Sequence, residues 1–283
     1  MDPHLLVIGL GFSGGAIARE AAARGWRVTT TARDPRQVAA PPGVEVEDFA
    51  HAGTVLREVT HLVVTAPPGE AGDPLLAAHG GALRAGPLRW VGYPSTTGVY
   101  GDRGGGWVDE QTEPAPAQPR SIRRREAERQ WEALAGSMAV DLFRCAGIYG
   151  PGRSALDDLR AGRARRVVKP GHAFGRIHRD DIALAVMAAA EAAARPGLQV
   201  LHLADDEPAE SAVVVEGAAR MLGMEPPPEL PFEVARTGMS AMALSFWGEN
   251  RRIANARTKA ALGIAWRYPS WREGLAAILA EGG

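Results

Sequence analysis

The chain has 283 residues, 46% of them hydrophobic, and a formal net charge of −1 at pH 7, which allows one large core with a small annex. This charge gives no electrostatic reason to expect binding to nucleic acid or to an anionic membrane, and no apolar run is long enough to span a bilayer. The one cysteine, Cys145, cannot form an internal disulfide and lies in an apolar run. We therefore expect a buried thiol in a cytoplasmic protein, and no metal site.

The first element is a buried strand that leads directly into a glycine-rich turn. Residues 5–8 are apolar, Gly9, Gly11 and Gly14 follow in the spacing Gly-x-Gly-x-x-Gly, and a helical pattern covers residues 16–24. Gly9 allows the tight turn, Gly11 lets a pyrophosphate approach the backbone, and Gly14 lets helix and strand pack closely. The pattern predicts a dinucleotide site, with a glycine turn that has no ligand as the alternative. The predicted cofactor contacts here are Gly9, Gly11, Phe12, Ser13 and Gly14.

The end of the second predicted strand, residues 26–31, indicates which dinucleotide binds. An NAD-binding unit places an Asp or Glu there to hold the ribose 2′-hydroxyl. The residue at that position is Ala32 and the next is Arg33, whose guanidinium matches a 2′-phosphate with two donors. We therefore favour NADP over NAD as the cofactor. The alternative is that Arg33 is a solvated loop cation and that Asp34 takes the acidic role.

Strands and helical segments alternate along the rest of the first half, which predicts a parallel sheet covered on both faces. The fourth strand ends at Thr65, and Ala66 and Pro67 begin the loop that leaves it. Because loops at the carboxyl edge of such a sheet face the ligand, these three residues are further predicted cofactor contacts. The remaining predicted strands are 44–46, 60–65, 88–93, 140–143 and 200–203, and the helices are 74–83, 121–135, 181–195, 210–222 and one opened by a capping box at Ser270.

The predicted fold class is therefore an α/β protein with a Rossmann-type, doubly wound parallel sheet and a small C-terminal annex on the substrate side. We assign residues 1–150 to the NAD(P)-binding core. Residues 151–283 supply the remaining core elements and the small substrate-binding annex, so that the two parts form a single interwoven unit. Residues 101–119 are rich in Gly and Pro and are predicted to form a long loop.

The chain resembles the extended short-chain dehydrogenase/reductases, the NAD(P)-dependent epimerase/dehydratase-like group that includes nucleotide-sugar epimerases, and in particular an atypical branch of it. The matching segments are spread over nearly the whole chain and occur in the same order as in the family. The glycine motif departs slightly, because extended members usually space it Gly-x-x-Gly-x-x-Gly. The other matching segments are 93–102 (YPSTTGVYGD), 144–152 (RCAGIYGPG), 176–183 (RIHRDDIA) and the closing Leu262, Gly263 and Trp266.

The resemblance implies an enzyme in which Thr96, at the end of the fifth strand, binds a substrate hydroxyl or carbonyl. The alternative is that Thr96 only satisfies backbone groups at a strand end. The family's proton donor is a Tyr four residues before a Lys, on the helix after the long loop. Ser121 matches that Tyr and Arg125 matches the Lys, and no tyrosine lies between Gly101 and Gly147. Arg125 can still bind ribose hydroxyls, whereas the Ser121 hydroxyl is too weak an acid.

Two interpretations of this missing tyrosine stay open. In the first, another residue supplies the proton, and the candidates are Tyr100, Tyr149 and His178. The alternative for each is a purely structural role, in a turn for the two tyrosines and at a strand end for the histidine. In the second, the fold keeps the dinucleotide without the chemistry. The leading function is an oxidoreductase or epimerase-like enzyme acting on a small hydroxyl or carbonyl substrate. A non-catalytic NAD(P)-binding regulatory or sensor protein is the alternative.

The resemblance also bears on partners. Family members often form homodimers through the helix that corresponds to residues 121–135, which makes a homodimer one alternative here, while the many arginines of that helix argue against it. Nucleotide-sugar epimerases tend to carry an Arg four residues before the histidine, to hold the diphosphate, and that position is Phe174. A nucleotide-diphosphate substrate is therefore not supported, and the small-molecule substrate stays unidentified. No nucleic-acid or membrane partner is predicted.

Overall fold

The computed structural model describes residues 2–193 and 195–282. The strands are β1 (His4–Ile8), β2 (Arg27–Ala32), β3 (Val44–Asp48), β4 (His61–Val64), β5 (Trp90–Thr96), β6 (Trp107–Val108), β7 (Ala139–Cys145), β8 (Gly147–Tyr149), β9 (Arg166–Val168), β10 (Ala173–Phe174), β11 (Arg176–His178), β12 (Gly197–Leu203), β13 (Ala209–Glu210), β14 (Glu229–Pro231) and β15 (Arg252–Ile253). The α-helices are α1 (Phe12–Ala23), α2 (Ala52–Val55), α3 (Pro74–Ala85), α4 (Pro119–Glu132), α5 (Ala155–Arg160), α6 (Arg179–Ala192), α7 (Ser211–Met221), α8 (Phe232–Ala235), α9 (Ala241–Trp247), α10 (Ala256–Leu262) and α11 (Trp271–Glu281). Short 3-10 segments are Pro35–Gln37, Phe49–His51, Thr97–Tyr100 and Arg236–Gly238.

Seven of the strands form one sheet, in the order β12-β7-β5-β4-β1-β2-β3, and each neighbouring pair is parallel. The direction in which strands are added reverses between β1 and β4, which is where doubly wound sheets hold ligands at their carboxyl edge. The seven strands predicted from the sequence are the seven strands of this sheet. The predicted Rossmann-type, doubly wound α/β fold is therefore confirmed.

Side chains that alternate along β1 build the two apolar layers of the core. Leu5 and Val7 pack in a cluster that includes residues of α1 and α6 on one face, and Leu6 and Ile8 pack with residues of α3 and α4 on the other. This separation follows from the two-residue period of a strand. Because helices cover both faces, β1 is apolar at successive positions rather than at every second one. Each aliphatic side chain buried in this way contributes about 1.5–3 kcal/mol.

The second half of the chain contributes both to the main sheet and to a separate annex. Strand β12 and helix α6 lie beyond residue 150 yet belong to the central sheet and its cover. A third apolar cluster joins α5, α7 and α11 through Leu156, Val215, Trp271 and Leu275. The short pairs β8–β11, β9–β14, β10–β13 and β6–β15 tie this annex together and connect it to the core. Among the described residues, no helix is both long enough and apolar enough to cross a bilayer.

Several element boundaries differ from the sequence-based prediction. Helix α1 begins at Phe12, inside the glycine motif, because Gly11 is its N-cap and accepts a hydrogen bond from Gly15 N at 2.8 Å. Helix α4 begins with Pro119 at its first position, where the missing N–H of proline has no cost. The predicted loop 101–119 contains β6, whose partner β15 lies far away in sequence. The predicted capping box at Ser270 is confirmed.

A buried ion-pair network fastens α4 to the sheet. Glu128 on α4 is fully buried, and its carboxylate accepts hydrogen bonds from Nε and Nη2 of Arg144 on β7, at 3.1 and 2.9 Å. The same carboxylate accepts from Ser95 Oγ at 2.5 Å and from Arg125 Nη1 at 3.1 Å. Arg144 Nη1 in turn donates to the hydroxyl of Tyr100 at 2.8 Å. The buried charges are tolerated because they are paired and both carboxylate oxygens are hydrogen-bonded.

The first prediction concerns this network. The substitution Glu128→Gln leaves the buried Arg144 guanidinium without its counter-charge, and we expect it to lower the free energy of unfolding by about 3–5 kcal/mol. The matched control is Glu126→Gln, on the exposed face of α4, where Glu126 pairs with the exposed Arg129 at 3.4 Å. We expect that control to change stability by less than about 0.5 kcal/mol. Urea unfolding at pH 7 measures both; equal losses would contradict the role given to the buried pair.

Candidate cofactor and substrate site

The turn after β1 has no space for a side chain at Gly14 but has space for one at Gly11. A Cβ placed on Gly14 would lie 2.1 Å from the carbonyl oxygen of Gly9, so only glycine fits there. A Cβ placed on Gly11 would meet no atom within 4 Å. Gly9 itself has a φ of +97°, a conformation that favours glycine. The backbone at Gly11 is therefore open to a ligand, while Gly14 holds α1 tightly against the end of β1.

Helix α1 presents an uncompensated N-terminus at this turn. Its N-cap, Gly11, has no side chain to satisfy the first N–H groups, and the first turn contains no acidic residue. The N–H groups and the partial positive charge of the helix are thus available to an anion. The predicted contact residues Phe12 and Ser13 lie in this first turn and are both partly exposed. These features fit the pyrophosphate of a dinucleotide.

Two arginines that sequence reasoning did not identify lie beside the same turn. The guanidinium carbons of Arg153 and Arg179 stand 5.6 and 4.9 Å from the centre of the Phe12 ring. A Cβ placed on Gly150 would lie 3.0 Å from the Arg179 side chain and 3.2 Å from the Phe12 ring. The segment after β8 and the start of α6 therefore add positive charge next to the N-terminus of α1. The sequence carries no local signal for this, because the three segments meet only in the fold.

The loop after β4 borders the other side of the turn. Thr65 Oγ1 lies 3.0 and 2.8 Å from the carbonyl oxygens of Ile8 and Gly9, to which its hydroxyl donates. The backbone N–H groups of Thr65 and Ala66 also donate to Ile8 O, at 3.0 and 3.2 Å. The structure thus places Thr65 and Ala66 beside the glycine turn, and Pro67 follows directly. Thr65 itself is used to hold the turn in shape.

Arg33 and Asp34 have different surroundings at the end of β2, which pairs with β1 beside the turn. The Asp34 carboxylate accepts from the backbone N of Arg36 at 3.2 Å and from Gln37 Nε2 at 2.7 Å. The side-chain hydrogen bond from Arg36 lowers the pKa of Asp34, which therefore stays ionised within its own turn. Arg33 is exposed and makes no hydrogen bond or ion pair with any residue of the described ranges. Its guanidinium is free to meet an anion.

Arg125, which matches the family's Lys position, is committed to carboxylates of its own helix. Its Nη1 donates to Glu128 at 3.1 Å and also contacts Glu132. Arg125 does not line the pocket that contains Thr96. The structure therefore uses this arginine to complete the buried network of Glu128.

Thr96 lines a pocket of about 400 Å³ at the carboxyl end of β5. Its Oγ1 accepts a hydrogen bond from Gly98 N at 3.0 Å, which leaves the hydroxyl proton to donate elsewhere. Buried Ser121 lies close to the same glycine, since a Cβ placed on Gly98 would be 2.7 Å from Ser121 Oγ and 3.2 Å from Thr96 Oγ1. The structure thus brings the serine that matches the tyrosine position next to Thr96. Helix α4 contains neither a Tyr nor a Lys.

Tyr100, a candidate proton donor, is buried outside this pocket. Its hydroxyl lies 2.5 Å from Nε2 of His202 and receives a hydrogen bond from Arg144. His202 Nδ1 is 2.7 Å from the carbonyl of Ala254, so we assign the proton to Nδ1 and the acceptor role to Nε2. Burial raises the pKa of Tyr100 to about 12. The phenol therefore extends the structural network that begins at Glu128.

Tyr149 lines the pocket, but its hydroxyl is directed to the annex. It donates to the carbonyl of Ser270 at 3.4 Å, and a Cβ placed on Gly274 would lie 2.0 Å from it. Burial raises the pKa of Tyr149 well above its usual value. The ring of Tyr149 therefore shapes the pocket, while its hydroxyl connects β8 to α11.

His178 is a buried N-cap residue of α6. Its Nδ1 accepts from the backbone N of Asp180 at 3.2 Å, and its ring packs against Tyr149 and Tyr268 at centroid distances of 5.2 and 4.3 Å. Burial lowers the pKa of His178 to about 4, so the imidazole is neutral near pH 7. The three candidate donors Tyr100, Tyr149 and His178 thus do not converge on one point beside Thr96.

The pocket also contains residues that sequence reasoning missed. Arg120, Phe246 and Trp247 line it together with Thr96. Arg120 precedes Ser121 and could have been found from its place beside the matched tyrosine position, but the aromatic pair comes from α9, which no motif marks. Phe174, where epimerases tend to carry an arginine, is likewise part of the pocket wall. Within the described residues there is no group of three or more His, Cys, Asp or Glu side chains suited to a metal ion.

A parallel sheet that reverses its order beside an open glycine turn, with a pocket at the end of a neighbouring strand, defines a Rossmann-type α/β protein. No protein-family model matches the chain. It is 40% identical to a functionally unknown conserved protein from Silicibacter pomeroyi, whose structure aligns over 99% of both chains with a TM-score of 0.89. It is 25% identical to a protein from Methylobacillus flagellatus described as an NAD-dependent epimerase/dehydratase, over 99% of this chain and 98% of that one, with a TM-score of 0.73.

A third relative is named for a reaction. The chain is 34% identical over 157 residues to the 3-diazoavenalumate denitrifying reductase of a Streptomyces species, which is 53% of this chain and 50% of that protein. Solved structures of the same fold below 25% identity contain NAD or NADPH. The chain belongs to the same family as the Silicibacter protein, and its fold is that of the NAD-dependent epimerase/dehydratase proteins.

The second prediction separates the two glycines of the turn. The substitution Gly11→Val introduces a side chain into open space at a φ of −86° that valine adopts readily, so the fold should keep its melting temperature. We expect the affinity for NADPH to fall about tenfold or more, since the new side chain covers the backbone that approaches the pyrophosphate. In contrast, Gly14→Ala should destabilise the fold by about 1–3 kcal/mol through overpacking. Thermal unfolding with an NADPH titration distinguishes the two; unchanged NADPH affinity in Gly11→Val would remove the dinucleotide from this turn.

Proposed function

We propose that the protein binds NADP(H) and catalyses hydride transfer between the nicotinamide and a hydroxyl or carbonyl group of a small substrate held beside Thr96. The observation that carries the proposal is that the glycine turn and the Thr96 pocket lie close together at one edge of the sheet. The turn at Gly11 follows β1 and the pocket at Thr96 ends β5, and only β4 separates these strands at the same edge of the sheet. A cofactor on the turn and a substrate in the pocket would therefore be neighbours.

The preference for NADP is based on the charges at the end of β2. The carboxylate that would hold a ribose 2′-hydroxyl is engaged with Arg36 and Gln37, and Arg33 stands exposed without a partner in the described ranges. A 2′-phosphate would give that guanidinium two charge-assisted hydrogen bonds. A free Asp34 carboxylate would repel the 2′-phosphate. Because Asp34 is paired with Arg36, this repulsion is weaker.

Within the pocket, Thr96 is the residue best placed to orient the substrate. When bound, a nicotinamide dinucleotide supplies or accepts the hydride. The Thr96 hydroxyl, held by Gly98 N, can donate a hydrogen bond to a substrate oxygen and so fix the position of the reacting carbon. Ala146, Ile148 and Ile253 give the pocket an apolar wall that limits water around the reaction. The denitrifying reductase among the relatives favours reduction over epimerisation as the reaction type.

A non-catalytic NAD(P)-binding sensor is the second candidate, and the missing acid favours it. Ser121 takes the place of the family's tyrosine, and the hydroxyls of Tyr100 and Tyr149 are hydrogen-bonded away from Thr96. Burial lowers the pKa of His178 to about 4, which leaves no imidazolium to donate a proton at pH 7. An enzyme with this site would have to reduce a substrate whose proton comes from solvent.

The third prediction tests cofactor binding and its specificity together. Nicotinamide fluorescence on titration with NADPH and NADH should show tighter binding of NADPH. The substitution Arg33→Ala should weaken NADPH about tenfold and leave NADH nearly unchanged, because the two differ only by the 2′-phosphate. The matched control Arg27→Ala removes an exposed arginine at the amino end of β2, where it pairs with Glu45, and should keep the NADPH preference. Equal loss of both nucleotides in Arg33→Ala would refute the 2′-phosphate contact.

The fourth prediction tests catalysis. With NADPH and a panel of aromatic and aliphatic aldehydes and ketones, we expect slow oxidation of the cofactor by the wild type. The substitution Thr96→Val should reduce turnover about tenfold or more while the NADPH affinity is kept, and Thr96→Ser should restore it, since only the hydroxyl is needed. Tight NADPH binding without turnover on any member of the panel would favour the sensor instead.

A further inference from the structure

The pocket at Thr96 contains more positive than negative charge. Its lining includes three arginines, Arg120, Arg176 and Arg251, and one carboxylate, Glu249. A pocket with uncompensated guanidinium groups disfavours cationic ligands and attracts anions. The partners of each arginine within the protein therefore decide what charge remains for a ligand.

Two of these arginines are satisfied by the protein itself. Arg251 Nη1 pairs with Glu249 at 2.8 Å and also donates to the carbonyl of Gly101 at 2.8 Å. Arg176 Nη1 donates to the carbonyl oxygens of Phe174 and Ala209 at 2.9 and 3.0 Å. The carboxyl group of Asp205 is the main group that opposes the charge of Arg176, although burial raises the pKa of that carboxyl to about 8, so that most of it is protonated at pH 7.

Arg120 is the third arginine that lines the pocket, and its surroundings differ from those of the other two. Within residues 2–193 and 195–282 it has no ion pair and no side-chain hydrogen bond, although Glu249 contributes attraction from a greater distance. Its guanidinium carbon instead lies 3.7 Å from the centre of the Phe246 ring. Stacking on an aromatic face orients the planar group and leaves its N–H edges free to donate. One oriented and unpaired guanidinium group therefore lines the pocket.

Aromatic side chains form the wall of the pocket next to Arg120. Phe246 lies directly under the guanidinium, and the neighbouring Trp247 packs on Phe174 with centroids 5.0 Å apart and on Phe232 with centroids 5.3 Å apart. His172 stacks on the same Trp247 at 5.5 Å. These contacts hold Phe174 and Trp247 in place, so the wall offers flat apolar surfaces without further ordering.

We propose that this pocket binds a small monocarboxylate with a flat apolar or aromatic body, whose carboxylate is held by Arg120 and whose body lies along Phe174, Phe246 and Trp247. The planar fork of the guanidinium matches a carboxylate with two parallel hydrogen bonds. The single guanidinium with free N–H groups can pair with both oxygens of one carboxylate, whereas the three oxygens of a phosphate monoester would need further donors. The inference depends on the proposed function only in taking this pocket as the substrate site.

The experiment is a calorimetric titration of the NADPH-saturated protein with cinnamate and with its uncharged amide, cinnamamide. We expect the wild type to bind cinnamate about tenfold or more tightly than cinnamamide, because a charged acceptor strengthens the hydrogen bonds of a guanidinium. The substitution Arg120→Gln should remove this preference while binding of cinnamamide changes little. The matched control is Arg123→Gln, an exposed arginine of the same helix that does not line the pocket, and it should keep the preference. Melting temperatures confirm that both variants fold.

Other outcomes would overturn the inference. Equal binding of acid and amide by the wild type, binding of neither, or a preference that survives Arg120→Gln would each remove the carboxylate from Arg120. Tighter binding of phenyl phosphate than of cinnamate would assign the site to a phosphate instead. If NADPH binds and cinnamate does not, this inference fails alone. If cinnamate binds through Arg120 in a protein that does not bind NADPH, the proposed function fails and the carboxylate site stands.

Discussion

The buried pair of Glu128 and Arg144 is the interaction on which the arrangement of the site depends. It joins helix α4 to strand β7, and through Ser95 and Tyr100 it also holds the end of β5 and the segment that follows it. Because both charges are removed from water, the pair tolerates only the geometry in which its hydrogen bonds are complete. The rotation of α4 about its axis is set in this way. That rotation buries Ser121 beside Thr96 and turns Arg120 toward the pocket.

The same network explains why residues that are chemically suited to catalysis do not act together here. Tyr100 has the phenol that a proton donor needs, but its hydroxyl is placed between Arg144 and His202. Arg125 has the charge to bind a ribose, but it completes the shell of Glu128. Polar groups that stabilise one another in the interior are withdrawn from solvent and from any ligand. The groups that stay available in the pocket are the hydroxyl of Thr96, the guanidinium of Arg120 and an aromatic wall.

Much of the cofactor side was predictable because its signals are local. The roles of Gly9, Gly11 and Gly14 follow from their spacing between a buried strand and a helix, and the structure shows that a Cβ at Gly14 would collide with Gly9 while one at Gly11 would not. The side with the Thr96 pocket was less predictable, because its wall is assembled from α9, β10 and the first turn of α4. Trp247 and Phe174 have no sequence relation to Thr96, and their proximity depends on how the annex packs.

The sequence by itself determined the seven strands of the sheet, their parallel direction and the glycine turn, since apolar runs, turn residues and helix signals act over a few neighbouring positions. It also established that α4 has no tyrosine. Only the tertiary structure decided which charged groups neutralise one another and which are left for a ligand. Glu128 meets Arg144 and Glu249 meets Arg251, whereas Arg120 meets an aromatic ring. The physical reason is that electrostatic pairing depends on distance and burial, which a linear order of residues does not specify.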